Sequence, residues 1–114
     1  RQDPRNFMAY IRRGISYQSL KQTSNAISDY STAINIDPAS WIGYFNRGAV
    51  LMNIKDYAAA IDDLSNAILI NPKHAASYSY RSYCYCMIGE NSLSLKDFKL
   101  AIELGAVAAL QCSK

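Results

Sequence analysis

The chain has 114 residues, half of them hydrophobic and 18% charged. That is enough apolar material for one core and too little charge for a disordered tail. Its net charge of +3 comes from bases interleaved with acids, which argues against nucleic acid or an anionic membrane surface as a partner.

No stretch approaches the roughly 18 apolar residues that cross a bilayer, so a membrane is not an expected partner either. Three cysteines, an odd number without framework spacing, fit a reducing compartment, and a cytoplasmic location is expected.

In chain order, Asp3-Pro4 comes first. It matches Asp37-Pro38 and Asn71-Pro72, and the three prolines stand 34 residues apart. Residues 1–6 therefore read as the tail of a preceding repeat, and the chain as a segment of a longer array. A first helix is expected over about 7–20, where Tyr10, Gly14 and Tyr17 fall at i, i+4 and i+7. After the polar break Lys21-Gln22-Thr23, a second is expected over 24–36, with Ala26, Tyr30, Ala33 and Ile34 on one stripe. Pro38 stops it, because the residue before a proline resists the helical conformation.

The pattern repeats over 41–53 and 57–70, and again over 75–88 and 92–104. Asp56 and Asn91 are expected as N-caps and Gly89 as a helix stop. Tyr10, Tyr44 and Tyr78 share a register, as do Arg13, Arg47 and Arg81, and then Asp29, Asp63 and Asp97. Gly14, Gly48 and Ser82 are equivalent, as are Ala26, Ala60 and Ser94, and Ala33, Ala67 and Ala101. Tiny residues at these places let two helix axes approach closely.

This order of residues on a 34-residue period resembles the tetratricopeptide repeat, from Phe7 to about Gly105. The resemblance implies an all-α fold, a right-handed α-solenoid of three antiparallel helix hairpins. Its repeats run over about 7–40, 41–74 and 75–108 of a single domain spanning 1–114. Leu51, Ser82 and Ser94 depart from the family pattern, and Ala106 stands where a fourth proline is due. "AVAALQCSK" at the end reads as the start of another first helix.

The arginines could be a row of anion hooks, but their shared period with the aspartates favours an Arg–Asp pair bridging the helices of each repeat. What remains for function is a second apolar stripe on each leading helix. In the first repeat it holds Met8, Ile11 and Ile15, with Arg12 beside them. In the second it holds Ile42, Phe45, Ala49 and Met52, with Asn46. In the third it holds Ala76, Ser79, Tyr83 and Cys86, with Tyr80 and Met87. The resemblance places such residues in a concave groove where peptides bind.

The expected function is thus a non-catalytic scaffold that binds an apolar peptide or amphipathic helix. The alternative is a structural spacer or self-association module, with a homodimer through the same surface. Co-chaperones of the family clamp a chaperone's C-terminal carboxylate at positions matching Ile11, Ile15, Asn46, Ala76 and Tyr80. Only Asn46 keeps the clamp residue, so chaperone tails are not expected as ligands. The scattered Arg12, Lys55 and Lys96 form no basic stripe for nucleic acid.

No catalytic group, metal or cofactor is expected. His74 is the single histidine and reads as a solvated loop residue. Cys84 and Cys86 diverge by about 200° on a helix and read as buried small hydrophobes. Asp62 and Asp63 are adjacent on a helix and diverge likewise.

Overall fold

The computed structural model describes residues 6–106, which form six helices: α1 (Phe7–Ser19), α2 (Thr23–Ile36), α3 (Trp41–Asn53), α4 (Tyr57–Ile70), α5 (Ala75–Met87) and α6 (Asn91–Glu103). They pair as three hairpins, α1 with α2, α3 with α4 and α5 with α6. Successive hairpins stack through α2 on α3 and α4 on α5, while α1, α3 and α5 also touch side by side. The molecule is elongated, 47 × 26 × 22 Å. The expected tail at 1–5, the end of the third repeat at 107–108 and Cys112 lie outside the described residues.

Each turn within a hairpin is built alike. Leu20, Ile54 and Ile88 are the C-caps, and Lys21, Lys55 and Gly89 follow with φ of 60°, 69° and 86°. The next residue's N–H then closes a six-residue ring: Gln22 donates to the Tyr17 carbonyl, Asp56 to Leu51 and Glu90 to Tyr85, at 2.8–2.9 Å. This is the Schellman arrangement, which satisfies the carbonyls a helix leaves open. It also fixes the cap of the following helix. Asp56 caps α4 by accepting from Ala59 N–H, as expected. Asn91 does not cap α6, because the ring closes through Glu90, and Asn91 becomes the first helical residue. For the same reason α2 starts at Thr23, one residue early.

Between hairpins the aspartate or asparagine before proline folds back on the chain. Asp37 Oδ1 accepts from Ala39 N–H at 3.2 Å and Asn71 Oδ1 from Lys73 N–H at 3.3 Å. These turns compete with continued helix, so the proline has a polar accomplice.

The core has two apolar clusters. Ile11, Ala26, Tyr30, Ala33 and Val50 form one; Ala60, Leu64 and Cys84 form the other. The small residues at the helix crossings behave as expected. A Cβ on Gly14 would come within 2.5 Å of the Tyr30 ring, which is itself fully buried. In the third hairpin Ser82 and Ser94 replace the tiny pair, and each hydroxyl donates to the other's carbonyl at 2.8 Å.

The Arg–Asp pairs exist in all three repeats. Arg13 holds Asp29, Arg47 holds Asp63 and Arg81 holds Asp97, each with two nitrogens on two oxygens at 2.7–2.9 Å. Two of them also reach the preceding hairpin: Arg47 donates to Ser31 Oγ at 3.1 Å and Arg81 to Ser65 Oγ at 3.0 Å. These guanidiniums are tethers between helices and between repeats. Hydrogen bonding to the aspartates raises the already high pKa of all three arginines, so the charge is permanent.

Candidate protein-binding groove

The leading helices α1, α3 and α5 present side chains to a common hollow of about 410 Å³. Ile15, Gln18 and Ser19 come from α1, Phe45, Asn46 and Ala49 from α3, and Tyr80 from α5. The spacing explains the set: residues three and four apart share a helix face, and three such faces lie in parallel. Ile15 is 45% exposed, an apolar side chain left in water. No charged residue lines the hollow.

Several bonds fix its walls. Gln18 Oε1 accepts from the Tyr30 hydroxyl at 2.8 Å, which ties the groove to the core of the first hairpin. Burial pushes that phenol up to about 12, so it stays a donor. Asn46 spends one amide hydrogen on the Ile42 carbonyl at 2.8 Å. Phe45 stacks on Tyr80, with centroids 5.1 Å apart, and meets the edge of His74 at 4.7 Å; His74 in turn lies 4.3 Å from Trp41. Phe45 and Tyr80 in the lining of the hollow thus join the second and third repeats, and the aromatic chain runs on outside it through His74 to Trp41.

A smaller hollow of about 240 Å³ is lined by Met52 and Asn53 at the end of α3, Lys55, Tyr57 at the start of α4, and Tyr83 on α5. It neighbours the first, since Ala49 and Met52, and Tyr80 and Tyr83, are each one turn apart.

Of the residues expected on the second stripe, Ile15, Phe45, Asn46, Ala49 and Tyr80 meet at the first hollow, and Met52 and Tyr83 at the second. Ile11 does not. It is 2% exposed and belongs to the first core cluster with Tyr30 and Val50. The reason is that α1 has two neighbours, α2 and α3, and Ile11 is packed in the core they share. Ile42 packs against the same cluster. Met8, Arg12, Ile42 and Met87 line neither hollow. Ser79 is buried too.

His74 is not the solvated loop residue that the sequence suggested. It is half-buried at the N-cap of α5, its Nδ1 is 2.8 Å from Ser77 Oγ, and burial lowers its pKa below the ordinary value. Cys84 is fully buried, and burial pushes its thiol up to about 12, which makes it inert. Cys86, two residues on, is only half-buried.

Sequence reasoning followed apolar residues and so passed over Gln18, Ser19, Asn53 and Lys55. Gln18 and Ser19 stand three and four residues after Ile15, and Asn53 four after Ala49. Helical spacing alone could have placed them on the same faces.

Elsewhere, a depression of about 450 Å³ lies beside Arg47 and Asp63, with Ile27, Ser31, Leu51 and Asn66 among its walls. Its guanidinium is already engaged by Asp63 and Ser31. Among the described residues, no group of three or more His, Cys, Asp or Glu side chains could hold a metal, and no helix is long and apolar enough to cross a membrane.

Comparison with known proteins bears on this arrangement. Profiles of the tetratricopeptide repeat match residues 9–40 and 41–74. The second TPR domain of Spaghetti (RPAP3), solved with the HSP90 peptide SRMEEVD, is 22% identical. The match covers 89% of this chain and 94% of that one, with a TM-score of 0.86. The second TPR domain of human RPAP3, in complex with the HSP70 peptide SGPTIEEVD, is 21% identical over 93% of this chain and 89% of that one, with a TM-score of 0.86. The crystal structure of MamA is 25% identical over 90% of this chain and 60% of that one, with a TM-score of 0.85. No curated protein sequence matches the chain. Two of these structures carry chaperone-tail peptides, so the expectation that such tails are not bound here finds no support among them. Two adjoining repeat matches, six helices in three hairpins and these shared folds lead to one statement: the chain belongs to the tetratricopeptide repeat family.

Proposed function

We propose that this chain is a non-catalytic protein-interaction scaffold, acting in the cytoplasm, that holds an apolar peptide or one face of an amphipathic helix in the hollow between α1, α3 and α5. The observation that carries the reading is the lining itself. Three helices leave Ile15, Phe45, Ala49 and Tyr80 around one open hollow without a charged group. Water released from these surfaces favours apolar side chains, and the Gln18, Ser19 and Asn46 side chains offer hydrogen bonds to a peptide backbone. A carboxylate entering this hollow would find no cation to offset its desolvation. The lack of a basic stripe sets nucleic acid aside on this reading, and no group in the groove is arranged for catalysis.

The test uses a pool of capped pentapeptides with apolar residues at positions one and three, together with the peptide SRMEEVD. The wild-type chain is compared with Ile15→Glu and Ala49→Glu. The first places a charge at an exposed position and the second at a half-buried one, and both leave Phe45 and Tyr80 intact. Apolar peptides should be retained by the wild type and weakened at least about tenfold by either change, a loss of about 1.4 kcal/mol, at unchanged melting temperature. Equal retention by all three proteins overturns the reading, and so does selective retention of SRMEEVD. A wild-type chain that dimerises in proportion to its concentration and retains no peptide points instead to a self-association module.

A further inference from the structure

Asn6, Ser40 and His74 hold one register of the repeat, each as the N-cap of a leading helix. Asn6 accepts from Ala9 N–H at 3.0 Å and Ser40 from Ile42 N–H at 3.3 Å, which is the ordinary work of a capping side chain. His74 makes no such bond. Its ring is turned instead to Trp41 and Phe45 on α3 and to Ser77 Oγ on α5. Phe45 is the link to the groove: it stacks on Tyr80, and both rings line the first hollow. The imidazole backs Phe45 without lining that hollow itself.

This setting suits a neutral ring. An imidazolium donates from both nitrogens, and the hydrogen bond seen here offers one acceptor, the Oγ of the fully buried Ser77. With no acid in the first turn of α5, the positive end of that helix dipole opposes a second positive charge. The charged and titratable groups around it do not offset this. Arg47 on α3 and Asp63 on α4 are closed on each other, and Asp62 is exposed beside them. On α5, the Tyr78 hydroxyl donates to the Pro72 carbonyl at 2.9 Å and Arg81 is held by Asp97. Lys73, one residue before the ring, is exposed and of like charge. Among the described residues no carboxylate pairs with His74: the three salt bridges all belong to the arginines.

We propose that His74 is a positioning residue through which protons gate the groove. The neutral ring holds Phe45 against Tyr80, and the imidazolium withdraws and loosens that wall. The groove therefore releases apolar segments as the pH falls from neutral to about 5.5, the range in which an imidazole takes up its proton. The inference rests on the groove reading and adds regulation to it. Neither Asn6 nor Ser40 can titrate in this range, so the gate belongs to the junction of the second and third repeats alone.

The experiment measures the affinity of the same capped apolar pentapeptides, made without ionisable side chains, at pH 7.5 and pH 5.5. The wild type is compared with His74→Asn, which keeps a polar cap of the Asn6 kind and removes the titration. His74 is the single histidine, so its ring signals can be followed by NMR without assignment ambiguity. Wild-type affinity should fall about fivefold at the lower pH, at the low end of measured couplings between sites. By reciprocity, saturating peptide should move the midpoint of the His74 ring titration down by about 0.7 pH. In His74→Asn the affinities at the two pH values should be equal, whatever their level. Equal wild-type affinities at both pH values, or an unmoved midpoint, overturn the gate while the groove stands. An equal fall in His74→Asn takes the gate away from His74. A fall that only tracks loss of the helical circular dichroism signal means that the proton unfolds the chain, and it overturns the proposal as well. If no peptide is held at either pH, the groove reading falls and this inference with it.

Discussion

Asp29, Asp63 and Asp97 are one carboxylate in three settings. All are buried, at 4%, 4% and 2% exposure, but their arginine partners are 47%, 27% and 19% exposed. Water screens the first pair and hardly reaches the third. Removing one member of a buried pair leaves an uncompensated charge, which costs about 3–5 kcal/mol, whereas an exposed pair is worth about 1 kcal/mol or less. Replacement by asparagine should therefore cost about 3 kcal/mol at Asp97 and about 1 kcal/mol at Asp29, with Asp63 between. Urea midpoints of the three variants would show the order, and equal losses would contradict it. These pairs were legible in the sequence because both members repeat on the same period. Their third contacts, to Ser31 and Ser65, were not, although the serines repeat as well; Lys99 breaks that series.

His74 gives a pH dependence with a definite sign. Burial depresses its folded pKa below 6.5, so on acidification the unfolded chain takes up the proton first. Stability is then fully present above pH 6.5 and falls as the pH drops from there through the folded-state pKa. The wild-type melting temperature should be lower at pH 5.5 than at pH 7.5, and His74→Asn should lose part of that difference. An undiminished difference in the variant would remove His74 from the account. This environment was not legible in the sequence, because Trp41 and His74 lie at opposite ends of one repeat and neither recurs in the other repeats.

At the scale of the element, the fold was read almost to the residue. Every helix was placed within one residue of its observed ends, because glycine, proline and the small crossing residues punctuate the chain on one period. The groove was read less well. A helix with two neighbours carries a broad apolar band, and periodicity cannot say which of two adjacent apolar residues meets which neighbour. Ile11 and Ile15 show the cost of that ambiguity, one in the core and the other in water. The crossings themselves are testable. At Gly14 an added methyl would strike the buried Tyr30 ring at 2.5 Å, while at Gly48 the nearest atom is Leu64 Cγ at 3.1 Å, a crowded contact that needs a shift of only a few tenths of an ångström. Gly14→Ala should destabilise by about 1–3 kcal/mol through overpacking. Gly48→Ala should stay within about 1 kcal/mol of the wild type, because alanine's helix propensity offsets the crowding. A Gly14→Ala protein as stable as Gly48→Ala would contradict this picture of the crossing.

At the scale of the whole molecule, the trailing helices and the arginine tethers hold the stack together, and the leading helices are left with a face to spare. In a stacked array each repeat touches its neighbours alone, so a surface spanning three repeats exists because the stack does. The most direct test of that division of labour is a map of where a ligand sits. Amide and methyl NMR signals of the labelled wild-type chain would be followed while the best-retained pentapeptide is added. We predict shifts at Ile15, Gln18, Ala49 and Tyr80, with Asn66 and Leu69 on α4 unmoved. Shifts centred on Asn66 and Leu69, with Ile15 and Ala49 still, would contradict the account.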